Sequence, residues 1–472
     1  MIPTTSSHSH LALILREVKA LWILVWPIAI GQLANTGTSF VDAVMAGHIG
    51  ANDLAAVSLG SSIWIALVIT LIGLLLSVAP VIAQLYGAQR LSDIPNIVQQ
   101  GIWLALVLGI VAFFLASAIA PIFQYLGLSP IVQEKATNFL LAIRWGFPAV
   151  AVFRILYGYS ACLNQTKPLM LVSIFILLLN IPINYILIHG LFGFPQLGGV
   201  GCGWATAFCM WVSVLILGWW INRAAPYQAT HPFKHFYPPQ LAELYQLLKI
   251  GFPIGLMFFI EISAFSLVAL MVANLGALQV AGHQITINFS ALMFMIPQSI
   301  GTALTVRVGY ALGANDPVRA RFISWVGIGC GLVTATMTAT IVITFSEHVA
   351  AIYTTDIALR TLAAHLLIYA GIFQFSDATQ VCAAGALRGY KKTRNPMLIY
   401  MVAFWIVGLP LGFVLAQAPA AIPFAPSHPW GAEGFWLAVV IGLTLAASAL
   451  VWLLSRVSQL HITEQKTRSS KE

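Results

Sequence analysis

Apolar residues run along this chain in long, nearly unbroken stretches, separated by short segments where charged residues, Gly, Pro and Asn gather. Twelve such stretches stand out, at about 20–47, 54–86, 97–121, 132–155, 168–189, 199–222, 246–273, 280–311, 322–345, 359–387, 396–416 and 431–455. Each reaches the roughly 20 residues that carry an α-helix across a ~30 Å hydrocarbon core. Period-two alternation is absent, and the stretches overrun the ~10 residues of a barrel strand. The pattern predicts an all-α polytopic membrane protein with twelve transmembrane helices. Between the sixth and seventh stretches, Pro226, Pro232, Pro238 and Pro239 sit among polar residues and mark a linker. The expected division is a tail at 1–15, an N-terminal lobe at 16–222, a linker at 223–245, a C-terminal lobe at 246–456 and a tail at 457–472.

The two lobes repeat each other. Trp26-Pro27-Ile28 matches Phe252-Pro253-Ile254, Ile49-Gly50 matches Leu275-Gly276, and Gly87-Ala88 matches Gly313-Ala314, all 226 positions apart. The spacing drifts to 228 for Pro182 and Pro410, and to 232 for Gly199 and Gly431. One spacing held over some sixty residues is the signature of an internal repeat. Six spans per lobe is an even number, so both lobes enter the membrane from the same side. The expectation is two pseudo-symmetric six-helix bundles in parallel repeat, as in transporters that rock two bundles about a central site.

Composition agrees: 60% of residues are hydrophobic and 8% charged. The net charge of +8 could point to nucleic acid, but the placement of Lys and Arg decides otherwise. Arg16 and Lys19 precede the first span; Arg90, Lys167, Arg223, Arg307, Arg388 and Arg456, with their neighbours, follow the even-numbered ones. Lys135 and Arg360 are the main exceptions. The positive-inside rule then places both termini in the cytoplasm, with the lipid bilayer as partner and no nucleic acid. Cys162, Cys202, Cys209, Cys330 and Cys382 lack metal-site spacing and read as small packing residues. His8 and His10 read as part of a polar tail.

Chemistry must come from ionisable groups inside the spans, where a charge costs at least ~2.5–3.5 kcal/mol. Asp42, Glu261 and Asp377 are the acidic residues well inside a span. Glu261 lies twelve residues beyond Lys249, about 18 Å, near the midplane; Asp377 sits at comparable depth in span ten. Two carboxylates in one bundle suit exchange of a proton or a small monovalent cation. Phe265, one turn beyond Glu261, could offer a cation–π contact. In the other lobe Gln32, Asn35, Thr38 and Asp42 form a polar stripe, and Gln284 and Asn288 lie one turn apart in span eight. No P-loop, H-E-x-x-H or G-x-S-x-G motif occurs, so neither ATP hydrolysis nor another enzymatic activity is expected, and no cofactor is implied.

Several segments together resemble the multidrug and toxic compound extrusion (MATE) family, NorM-like branch. They are Phe40-Val41-Asp42-Ala43-Val44-Met45-Ala46-Gly47, Asp53-Leu54-Ala55-Ala56-Val57-Ser58-Leu59-Gly60 and Ile82-Ala83-Gln84-Leu85-Tyr86-Gly87-Ala88. The segments Pro253-Ile254-Gly255, Met295-Ile296-Pro297-Gln298-Ser299, Val306-Arg307-Val308-Gly309 and Ala386-Leu387-Arg388-Gly389-Tyr390 extend the likeness to roughly 16–455. The resemblance implies twelve helices in a V-shaped pair of lobes and efflux of small amphipathic organic cations, driven by Na⁺ or H⁺. It further implies a coupling-cation site at Glu261, Phe265 and Asp377, with Glu261 and Asp377 as metal ligands if the ion is Na⁺. Asn35, Asp42, Ser62, Gln284 and Asp356 are implied as substrate-binding residues. Thr355 stands where some relatives have a second acidic residue, and Phe373 where others have tyrosine. A monomer is expected. The alternative is a lipid-linked-precursor flippase of related architecture, which should line its cavity with Arg or Lys, whereas the inward-facing charges expected here are acidic and only Arg144 and Arg154 lie near span interiors.

Overall fold

The computed structural model describes residues 6–418 and 426–469, with side-chain surroundings given from Leu11 to Thr467 within those limits. His8 and His10 lie outside the described side chains, as Arg468 does, and Lys471 lies outside the described residues altogether. The first six spans are α1 (Ser6–Ile49), α2 (Ala51–Gly87), α3 (Leu91–Tyr125), α4 (Pro130–Cys162), α5 (Lys167–His189) and α6 (Val200–Arg223). The next six are α7 (Leu241–Ala273), α8 (Ala277–Gly313), α9 (Pro317–Thr344), α10 (Ile357–Gly389), α11 (Arg394–Gln417) and α12 (Ala432–Ser469). A short helix, Ser346–Tyr353, precedes α10. There is no strand among the described residues. α2 to α12 each contain a window long and apolar enough to cross a membrane, and α1 contains the first of the expected twelve stretches.

Hydropathy marks where the chain crosses apolar solvent; breakers mark where helices end, and the two do not coincide. α1 begins at Ser6 and α12 runs to Ser469, because neither 6–19 nor 456–469 contains a Gly or Pro to stop the helix. Arg388, counted above among loop charges, lies in the last turn of α10 and is buried. In α11 the residues Met401–Gly408 form a π-helix ahead of Pro410. A proline ring clashes with the carbonyl four residues earlier and offers no N–H, and widening the ladder is one relief. Glycine leaves the bulging carbonyl room: a Cβ at Gly442 would sit 2.9 Å from the Ala403 oxygen and one at Gly408 3.0 Å.

The repeat is written in the backbone as well as the sequence. Left-handed residues end equivalent helices at Gln89 and Asn315, 226 positions apart, at Asn164 and Lys391, 227 apart, and at Gly190 and Ala418, 228 apart. Only the last pair contains a glycine, so the turn conformation recurs where residue identity does not. Side-chain staples recur too. Asp53 Oδ1 accepts from the Gly199 amide at 2.8 Å, and its repeat partner Gln279 accepts through Oε1 from the Ala432 amide at 3.1 Å.

The chain forms two compact units, and the division falls inside α1, between Val25 and Trp26, and inside α7, between Leu256 and Met257. In the unit from Trp26 to Leu256, the linker is pinned along α3. Gln99 Nε2 donates to the Pro232 carbonyl at 2.6 Å and its Oε1 accepts from Tyr237 N at 2.7 Å. Gln100 Nε2 donates to the Pro238 carbonyl at 2.8 Å, and its Oε1 accepts from Gln240 N at 2.8 Å. These two amides satisfy backbone groups that four prolines prevent from pairing in a helix. Gly251 and Gly255 of α7 pack on Leu74 in the same unit. In the other unit, the start of α1 is held by an ion pair between Glu17 and Arg307, whose Nε donates to Glu17 Oε1 at 2.6 Å. α8 and α10 approach through glycine: a Cβ on Gly385 would lie 2.3 Å from the Gly301 oxygen, and Thr305 Oγ1 donates to the Gly385 carbonyl at 2.8 Å. This small-residue seam fixes α10, and with it Asp377, against α8.

Candidate functional site

In the Trp26–Leu256 unit the acidic residue of α1 is enclosed by polar side chains from two other helices. Asp42 is 5% exposed. Asn184 Nδ2, from α5, donates to Asp42 Oδ1 at 2.6 Å, and Thr206 Oγ1, from α6, donates to Oδ2 at 2.7 Å. Asn184 Nδ2 also reaches Asn180 Oδ1 at 2.9 Å, and Asn180 Nδ2 lies 3.4 Å from Thr206 Oγ1. Asn180 and Asn184 are fully buried. Buried amides are stable in apolar surroundings only when bonded, so the cluster Asp42, Asn180, Asn184 and Thr206 is one network. Sequence reasoning found Asp42 and missed the other three. Their signal was present: two Asn one turn apart in an otherwise apolar span.

The residues of the expected stripe on α1 differ in their surroundings. Thr38 is buried and donates to the Ala34 carbonyl of its own helix at 3.2 Å, while Asn35 is exposed. Ser62 is exposed and donates to the Ser58 carbonyl at 2.9 Å. Lys135, one of the two exceptions to the charge pattern, is partly exposed and paired with the 4%-exposed Asp53 at 2.6 Å, an ion pair that holds α2 to α4.

In the second unit Glu261 on α7 is half-buried and Asp377 on α10 is 1% exposed. Glu261 lies within electrostatic reach of Asp377 and of Arg388. Gln380 Nε2 donates to Asp377 Oδ1 at 3.2 Å. Asp377 Oδ2 and Gln380 Oε1 are buried and have no partner among the described residues. An aromatic wall closes the site: Phe265 meets Phe404 with ring centres 6.3 Å apart, and Phe404 meets Tyr400 at 5.6 Å. Tyr400 interacts electrostatically with Glu261, Asp377 and Arg388. The π-helix of α11 is tied to this point, because Trp405 Nε1 donates to the carbonyl of Ile260, the residue before Glu261, at 3.3 Å. Gln380, Arg388 and Tyr400 were not among the expected site residues; a tyrosine inside the apolar eleventh stretch was the available signal. Carboxylate and amide oxygens are the donors a hard monovalent cation takes, and the carboxylates alone serve a proton.

The remaining candidates in this unit are exposed. Gln284 Nε2 donates to Asn288 Oδ1 at 3.1 Å. Asp356 caps α10, its Oδ1 accepting from Leu359 N at 2.9 Å. The buried Phe373 packs edge-on against Trp436 at 6.1 Å. All five cysteines are free and all but Cys330 are buried.

Comparison with known proteins follows the repeat. The family profile described as MatE matches twice, over 27–186 and 253–414, with starts 226 and ends 228 positions apart. The chain is 42% identical over 445 residues to the multidrug resistance protein MdtK of Photorhabdus laumondii subsp. laumondii, covering 94% of this chain and 96% of that one. MdtK of Yersinia pseudotuberculosis serotype O:1b is 42% identical over 436 residues, with 92% and 94% covered. Among solved structures, the MATE transporter NorM-NG, in complex with a dye and a monobody, is 39% identical with a TM-score of 0.79, covering 94% and 95%. The eukaryotic MATE transporter AtDTX14 has the same fold, with a TM-score of 0.85 at 18% identity and 96% and 99% covered. Matched across most of its length by the family profile and by these relatives, the chain belongs to the MATE family.

Proposed function

We propose that this protein is a secondary active antiporter of a bacterial inner membrane that exports amphipathic organic cations in exchange for Na⁺ or H⁺. Glu261 and Asp377 hold the coupling ion, and Asp42 serves the cargo side. Both termini and the linker face the cytoplasm, and the protein acts as a monomer. The observation that carries the reading is the pairing of two carboxylates within electrostatic reach in one unit, with Asp377 Oδ2 and Gln380 Oε1 unpartnered among the described residues. Two carboxylates in one apolar unit, Asp377 buried and Glu261 half-buried, ionise together more cheaply with a cation between them, and loading that cation is a change of charge that a lobe can respond to. Phe265 supplies a ring face beside it.

A charge moving down ~150 mV supplies about 3.5 kcal/mol, enough to concentrate a neutral cargo a few hundredfold; a cationic cargo needs a chemical gradient in addition. The arginines that a flippase would need are otherwise engaged. Arg144 donates to Ser117 Oγ at 2.6 Å and lies 4.5 Å from the Phe113 ring centre, and Arg154 lies 5.1 Å from that of Tyr157. The test is ethidium efflux from proteoliposomes under separately imposed Na⁺ and H⁺ gradients. Parent protein responds to one of them, whereas Glu261→Gln and Asp377→Asn, folded in the membrane, respond to neither. Full coupled efflux by both variants would overturn the site.

A further inference from the structure

One turn beyond Glu261, on the side away from Lys249, α7 borders a second buried feature that shares only Phe265 with the coupling site. Phe265 and Val268 of α7, His283 of α8, and Phe435, Trp436 and Val439 of α12 enclose a void of about 180 Å³, nowhere wide enough for a water molecule. His283 is 3% exposed, and both of its ring nitrogens lack a partner among the described residues, as does Trp436 Nε1. The two rings meet edge-on at 6.0 Å. A neutral imidazole always carries one donor and one acceptor, so this conformation leaves both without a partner among the described residues, against apolar walls. A packing role alone would be met better by Phe or Leu. A histidine kept at such a cost fits a group whose partner arrives in another conformation.

Its depth fits the same idea. His283 is six residues from Ala277, about 9 Å, whereas Glu261 is twelve residues from Ala273, about 18 Å. With both termini cytoplasmic those two helix ends face outward, so His283 lies on the outer side of Glu261, with Phe265 between them in height. α7 brings Glu261, and α10 brings Asp377, one turn from Phe373, together with Arg360, His365, Tyr369 and the buried Arg388. α12 brings Glu433, whose Oε1 lies 3.7 Å from His365 Nδ1. α9 carries Arg319 and Arg321 near its cytoplasmic end and Cys330 midway. None of these charges lines the void.

We infer that His283 is a proton-carrying residue on the outer side of the Glu261–Asp377 site, sealed in this conformation and open to external water in the alternative one. This rests on the antiport reading above and makes H⁺ a coupling ion. The step balances simply: a ring nitrogen takes a proton from external water, a carboxylate oxygen of the Glu261–Asp377 pair receives it through water admitted on opening, and the imidazole returns neutral. No electrons move.

The test uses the full chain in proteoliposomes, comparing parent, His283→Gln, His283→Phe and Glu261→Gln. Ethidium efflux is driven by an imposed pH gradient at external pH 5.5 to 8, with thermal midpoint and equilibrium ethidium affinity read for each. The expected result is a loss of tenfold or more in proton-driven efflux for His283→Phe, with a flattened pH profile. Affinity should stay within twofold of parent, and the midpoint should be equal or higher. His283→Gln should show the same loss, and it decides the outcome if the Phe variant unfolds. Parent rate and pH profile in both His283 variants, with Glu261→Gln silent, would overturn the role of His283 and leave the carboxylate site standing. A parent driven by Na⁺ alone would do the same, whereas an active Glu261→Gln would overturn the antiport site itself.

Discussion

Asn184 is the residue on which the N-terminal network turns, and Asn184→Ala is the perturbation that tests it. Its Nδ2 donates to Asp42 Oδ1 at 2.6 Å and reaches Asn180 Oδ1 at 2.9 Å, with no exposure to solvent. A hydrogen bond to a charged acceptor is worth about 1.5–3 kcal/mol and a neutral one about 0.5–1.5 kcal/mol. Truncation should therefore cost about 2–4 kcal/mol of stability, with Thr206 still donating to Asp42 Oδ2. If Asp42 presents its charge to cargo, losing the donor that holds Oδ1 should remove about 2 kcal/mol of that interaction, roughly a thirtyfold fall in affinity. The assay is equilibrium binding of ethidium to purified parent, Asn184→Ala, Asp42→Asn and the double variant, with folding checked by thermal unfolding. Residues in one network should be non-additive, so the double variant should bind little worse than Asp42→Asn alone. Folded Asn184→Ala protein with parent affinity, and a double variant whose loss is the sum of the singles, would refute the reasoning.

Two further outcomes follow from the same structure. Gly385→Ala should cost more than ~3 kcal/mol, since its Cβ would lie 2.3 Å from the Gly301 oxygen, whereas Gly329→Ala, with nothing within 4 Å, should be near neutral; matched thermal unfolding curves in detergent would contradict the helix seam. For orientation, Thr230 is a poor labelling site, being 1% exposed and bonded to Tyr159, but Gln228 and Lys234 are exposed. A single cysteine at either, in a chain freed of its own five, should react with impermeant maleimide only after permeabilisation, and labelling of intact cells would reverse the topology.

Much of this protein is legible one residue at a time. Twelve helices follow from the length and hydropathy of each stretch, because a segment crossing lipid must satisfy its own backbone hydrogen bonds. The repeat follows from Pro27 and Pro253 and from the paired glycines, and it reappears as left-handed turns at Gln89 and Asn315. Backbone geometry is a local property, so a local signal suffices for it. Glu261, Asp377 and Asp42 stand out for the same reason: a carboxylate inside an apolar span is conspicuous without knowing its neighbours. What surrounds them was not legible. Asn184 lies 142 positions from Asp42 and Gln99 133 from Pro232, and no periodicity connects residues so far apart. Hydropathy placed Arg388 in a loop because charge is scored by type, whereas its burial near Glu261 depends on the glycine seam between α8 and α10. That the nitrogens of His283 have no partner among the described residues is likewise invisible in sequence, where a histidine beside Gln284 reads as one more polar residue. Periodicity and composition decide which atoms enter the membrane; only packing between distant helices decides which polar atoms meet there, and which are left without a partner.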